Sequence, residues 1–114
     1  ARVPLPWSGN QPPYGFTESV NPTWLPQPRD WAQLTVSSQQ DQPSSTLSLY
    51  SQSLKLRAGF TGAASFMESG DSAVMIFHRD QGIYCVINTG NNEYLLPEFL
   101  QTAEVLLDSE SDEH

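Results

Sequence analysis

Seven prolines fall within the first 28 residues: Pro4, Pro6, Pro12, Pro13, Pro22, Pro26 and Pro28. Each fixes its own φ and removes a backbone donor, so neither a long helix nor a central strand fits this stretch. Trp7, Tyr14, Phe16, Trp24 and Trp31 are interleaved with the prolines. A solvated linker has few aromatics. The pattern therefore predicts an irregular arm that buries its rings against another surface, one this chain is too small to supply.

Beyond the arm, residues 36–42 predict a short helical turn. Pro43, Ser44 and Ser45 predict a helix entry with a serine cap. Residues 46–57 form the strong helix signal. Leu47, Tyr50 and Leu54 follow helical spacing, and Leu49 and Leu56 stand seven apart, which predicts one broad apolar stripe. Lys55 and Arg57 suit the negative end of the helix dipole, and Gly59 suits its stop. A helix of this kind is expected on the outside of a larger body.

From Gly62 the apolar period falls to two. Residues 63–68, 73–79 and 83–88 predict strands, separated by turn signals around Gly70 and at Asp80, Gln81 and Gly82. Residues 93–96 and 104–107 are shorter strand candidates. The expected result is an antiparallel meander. A sheet of this size needs a helix or a neighbouring domain against one face. The polar end, from Asp108 to His114, is expected to fray.

Charge excludes some partners. Residues 1–67 carry three acids and four bases, whereas residues 68–114 carry ten acids and only Arg79. The overall net charge is −8. Nucleic acid and anionic membrane surfaces both require a basic patch, so neither is expected as a partner. No apolar run is long enough to span a membrane, and the start lacks the apolar run of a signal peptide. A cytoplasmic location is the default expectation. The absence of an initiator Met suggests a cut or fragment terminus.

Chemistry-bearing residues are sparse. Cys85 alternates with Ile83 and Ile87, which reads as a buried strand position rather than a reactive thiol. His78 is isolated, with His114 as its sole companion, and reads as a sheet-face histidine. No metal-ligand spacing, phosphate loop or internal repeat is present, so no metal or cofactor is expected. The arm offers Glu18 and Asp30, neither on a rigid scaffold, so no catalytic acid pair is expected. Exposed rings at Trp7, Tyr14 and Trp24 would make a glycan or peptide platform. Burial against a parent domain is the competing expectation for Trp24 and Trp31.

The order of segments is more specific than any one of them. It runs Arg2-Val-Pro-Leu-Pro-Trp7, Pro13-Tyr-Gly-Phe16, Trp24-Leu-Pro26, Leu34-Thr-Val36, Gln39, then Pro43-Ser-Ser-Thr-Leu-Ser-Leu-Tyr50 and Leu54-Lys-Leu-Arg57. This series resembles the C-terminal part of α-glucosidases of the α-amylase superfamily, glycoside hydrolase family thirteen. Ile87 and Asn88 resemble the end of a strand in their C-terminal sheet. The resemblance covers nearly the whole chain.

It implies an α+β fragment: the last loop and helix of a TIM (β/α) barrel followed by a small antiparallel β-sheet domain. Residues 1–59 would end the catalytic barrel, and residues 60–114 would form an incomplete β-domain, about one strand short. The family uses an Asp nucleophile, a Glu acid/base and a second Asp, all of which would lie before Ala1. The implied function is a fragment of a retaining α-glucosidase acting on short α-glucosides, itself structural and inactive, with the rest of the barrel as its partner. Arg2 and Trp7 are the positions the resemblance places near substrate. Ser8, Gly9 and Asn10 stand where relatives commonly place an acid. The alternatives are a non-enzymatic binding module, or a fragment of a related glucosyltransferase or sucrose isomerase.

Overall fold

The computed structural model describes residues 2–110. The chain forms two compact units, one built on residues up to Ser53 and the other spanning Leu54–Asp108.

In the first unit the arm is irregular up to a 3-10 turn at Trp31–Leu34. Helix α1, Val36–Gln40, follows. Thr35 caps it, its Oγ1 accepting from the Ser38 amide at 3.2 Å. The amides of Val36 and Ser37, orphaned by their place at the helix start, donate to the carbonyls of Pro6 and Trp7 at 3.0 and 2.9 Å.

Helix α2 spans Thr46–Arg57, as its sequence predicts. Ser45 provides the cap, its Oγ accepting from the Ser48 amide at 3.1 Å while donating to the Gln39 carbonyl at 2.7 Å. The predicted single stripe is not what forms. At 3.6 residues per turn, Leu47, Tyr50 and Leu54 share one side, whereas Leu49 and Leu56 lie on nearly the opposite side. The apolar residues therefore divide into two narrow stripes. No residue of α2 is buried, and Tyr50 and Leu54 are exposed.

The second unit holds strands β1 (Ala64–Met67), β2 (Val74–Arg79) and β3 (Ile83–Asn88). They form the expected antiparallel meander in the order β1-β2-β3. The β2–β3 hairpin turns through Asp80, Gln81 and Gly82. The Gly82 amide donates to the Arg79 carbonyl at 3.1 Å, and Gly82 takes φ +74°, a backbone conformation that costs glycine little.

Register sorts the strands into two faces. Met67, Val74, Ile76, His78, Tyr84 and Val86 share one face; Phe66, Met75, Phe77, Cys85 and Ile87 share the other. The first face is covered. Ile76 is 0% exposed, Val74 and Leu100 are buried, and Phe99 meets Tyr84 edge-on at 5.5 Å. The second face is open: Phe66, Met75 and Ile87 are all exposed.

Two predicted strands are absent. Residues 93–96 and 104–107 carry no ladder. Pro97 lacks the donor that a continuing strand would use. The chain instead passes into a 3-10 turn, Glu98–Leu100, and serves as a cover: the Tyr94 hydroxyl donates to the Ser69 carbonyl at 2.7 Å and Leu100 is buried. Of the predicted fraying tail, residues 111–114 lie outside the described residues. No described helix is long and apolar enough to cross a membrane.

Candidate functional site

Residues 2–7 run as an extended segment in which burial alternates. Pro4 and Pro6 are buried; Val3, Leu5 and Trp7 face outward. The alternation puts Arg2 in register with the two prolines and Trp7 in register with the outward residues. Arg2 is exposed, and Trp7 retains 48% of its surface. The two expected substrate-side residues thus lie on the same segment without sharing a side.

The main chain at Trp7 is fixed from both directions. Its amide donates to the Tyr14 carbonyl at 2.8 Å, and its carbonyl accepts from the Ser37 amide at 2.9 Å. Tyr14 is the organising residue. It is 1% exposed, takes φ +51°, and donates its hydroxyl to the Pro28 carbonyl at 2.8 Å. A left-handed backbone is costly for a residue bearing a Cβ, and this burial and bonding offset the cost. Gly15 follows at φ +67°; a Cβ there would lie 2.6 Å from the Ser8 Oγ and 3.6 Å from the Trp7 Cβ.

Gln27 adds a second tie, its buried amide donating to the Pro4 carbonyl at 2.9 Å. Its Oε1 is equally buried and meets no donor among the described residues, a burden of ~1–3 kcal/mol on the arm. Neither the burial of Tyr14 nor the role of Gln27 is visible in composition. The signal available was positional: Tyr14 follows Pro13, and Gln27 stands between Pro26 and Pro28.

The arrangement holds one half-exposed indole rigidly, with Phe16 also exposed. Such a surface binds by stacking and apolar contact. It contains no acid pair: Glu18 and Asp30 are exposed loop residues. The three-ring platform does not form, because Tyr14 is buried. Trp24, in contrast, is 92% exposed. Its loop is pinned by short-range bonds, among them Thr23 Oγ1 to the Leu25 carbonyl at 2.7 Å. Trp31 is half-buried.

In the second unit, His78 lies on the sheet face, as expected, and stacks on Tyr84 at 5.4 Å. Cys85 is half-buried, and burial raises its thiol above the ordinary value. A shallow cleft of about 360 Å³ lies beside the β1–β2 turn, lined by residues including Ser69, Asp71, Met75 and Thr89. The Asp71 carboxylate there accepts from the Ala73 amide at 2.8 Å, a turn-forming bond. Among the described residues, no three His, Cys, Asp or Glu side chains are grouped to hold a metal ion.

The chain is similar to a region of an α-glucosidase from Schizosaccharomyces pombe (strain 972 / ATCC 24843). The two are 28% identical over 121 aligned residues, which take in 97% of this chain and 21% of the relative. This chain therefore spans about a fifth of the length of the curated relative it matches. No family model matches the chain, and no solved structure matches it significantly.

Proposed function

We propose that this chain is the C-terminal part of a retaining α-glucosidase of the α-amylase superfamily, acting on short α-glucosides. Residues 1–59 would complete the catalytic barrel as its last loop and helix, and residues 60–114 would be the β-domain beside it. The catalytic carboxylates would belong to the preceding barrel strands, since TIM-barrel sites draw on several strand ends. The chain's own role would be structural, with Arg2 and Trp7 at the mouth of the substrate site. The observation that carries this reading is the alignment of 97% of the chain with a region of an α-glucosidase.

Burial supports it. Among the described residues the buried apolar side chains are Tyr14, Val74, Ile76 and Leu100, with Pro4 and Pro6, whereas Trp24, Phe66 and Leu95 are exposed. A chain with so small a core and so much exposed apolar surface suits a piece of a larger body.

The test is to express the polypeptide encoded by the complete reading frame and supply a chromogenic α-glucoside. Hydrolysis with retained anomeric configuration is expected. Inversion, or no hydrolysis, would overturn the reading. A second reading, a glycan-binding surface, rests on Trp24, whose exposed ring is carried on a pinned loop. Titration with maltose, monitored by Trp fluorescence, separates the two: saturable quenching lost in Trp24→Ala would favour the binding surface.

A further inference from the structure

We infer that Gln27 is a positioning residue for the substrate site: it holds Pro4, and with it the segment that carries Trp7, so that the Trp7 indole meets the leaving group of the α-glucoside. The inference rests on the proposed function above and deepens it by assigning a residue that sets leaving-group preference.

The carbonyls of Pro4, Pro6 and Trp7 are all held by donors. Those of Pro6 and Trp7 accept from the main-chain amides of Val36 and Ser37, which any residue except proline would supply. The Pro4 carbonyl accepts from a side chain, Gln27 Nε2 at 2.9 Å. Only at this tie does the identity of the donor residue decide whether the bond forms. Gln27 is 7% exposed and stands between Pro26 and Pro28, which both face outward. The Pro28 carbonyl accepts from the Tyr14 hydroxyl, and the Tyr14 carbonyl takes the Trp7 amide at 2.8 Å. Residues 27 and 28 thus fix both ends of residues 4–7, one end directly and the other through Tyr14.

Stability alone gives a poor account of Gln27. Its Oε1 is buried with no donor among the described residues, and such a group weakens a fold. A side chain that weakens the fold while fixing a segment fits a site where geometry matters more than strength. At the mouth of a glucosidase site, an outward indole meets the part of the substrate that projects from the pocket, which is the leaving group, and does so by ring stacking. In a retaining reaction that group is present only while the glycosidic bond breaks, before water releases the glucose.

The test compares kcat/KM for maltose with kcat/KM for 4-nitrophenyl α-glucoside in the polypeptide of the complete reading frame. Gln27→Met keeps the length of the side chain and removes the donor. It should change the ratio of the two values by at least about tenfold, since small displacements at a reacting site carry large rate effects. A purely structural role lowers both values alike and leaves the ratio unmoved, which would overturn the inference. Trp7→Ala should change the ratio in the same direction, and adding Gln27→Met to it should change the ratio no further. A further tenfold change in the double variant would show that Gln27 acts by another route, and would equally overturn the inference. Should Gln27→Met fail to fold, Tyr14→Phe removes the hydroxyl tie to Pro28 and keeps the ring; it should move the ratio by about threefold in the same direction, the scale of one hydrogen bond. An unmoved ratio there would count against the positioning role. Hydrolysis with unmoved ratios removes the positioning role alone, whereas no hydrolysis by the unsubstituted longer polypeptide removes the proposed function and this inference with it.

Discussion

The arm and the sheet reach order by different means. In the arm, one buried ring and a set of side-chain to main-chain hydrogen bonds do the organising. Tyr14 and Gln27 reach the carbonyls of Pro28 and Pro4, and the Tyr14 carbonyl takes the Trp7 and Ser8 amides. In the sheet, strand pairing supplies the bonds and burial of Val74 and Ile76 on one face supplies the apolar contribution. The arm cannot use ladders because its prolines lack donors. It therefore depends on a few residues at fixed positions, whereas the sheet depends on a repeated pattern.

That contrast predicts where single substitutions act most strongly. Tyr14→Ala removes the ring and the hydroxyl together and should cost ~3–5 kcal/mol, as for other buried aromatic truncations. Hydrogen exchange should show lost protection at Trp7, Ser8, Val36 and Ser37, while β2 and β3 remain protected. Ile76→Ala should cost ~2–5 kcal/mol and give the reverse map. If both substitutions loosen the same amides, the arm and the sheet are one cooperative unit and the contrast fails.

A smaller effect is expected at Gly15. Gly15→Ala meets the Ser8 Oγ and an unfavourable φ, so a loss of ~1–2 kcal/mol should appear in denaturant unfolding. No loss would mean that the turn beside Trp7 is looser than its geometry indicates.

Cys85 provides a pH test of the sheet. Burial raises its thiol in the folded chain, so this group contributes stability below the ordinary thiol value, and the contribution is lost as pH rises through the raised one. The pH midpoint of alkylation in the folded chain should lie above that of the denatured chain. A midpoint at or below it would contradict the burial. The smallest effect is expected at Trp24, where Trp24→Ala should change stability by no more than ~0.5 kcal/mol because the ring contacts little of this chain.

How far the sequence was legible follows the same division. Periodic elements were readable: α2 from Ser45 to the glycine stop, and the three strands from alternation and turn residues. The pairs Leu47/Leu49 and Leu54/Leu56 were not read correctly as one stripe, since residues two apart on a helix face nearly opposite ways. The short runs at 93–96 and 104–107 had the apolar content of strands, but a strand also requires a partner, which composition does not reveal. The arm was readable as irregular and aromatic. Its internal structure was not, because a Tyr held at positive φ leaves no periodic trace. For the candidate site, the outward position of Trp7 follows from alternation against the two buried prolines. Its rigid setting depends on contacts with Tyr14 and Ser37, which are distant in sequence. The sheet was expected to need cover on one face; that both faces carry apolar residues, and which of them the chain covers itself, came only from the register and from where residues 94–100 lie.

The function proposed here is support of an α-glucosidase site whose carboxylates would lie elsewhere in a longer polypeptide. The most direct measurement is hydrolysis of a chromogenic α-glucoside by the purified 114-residue chain. No turnover above the uncatalysed rate is expected. Turnover that copurifies with the chain and survives removal of every longer polypeptide would contradict it.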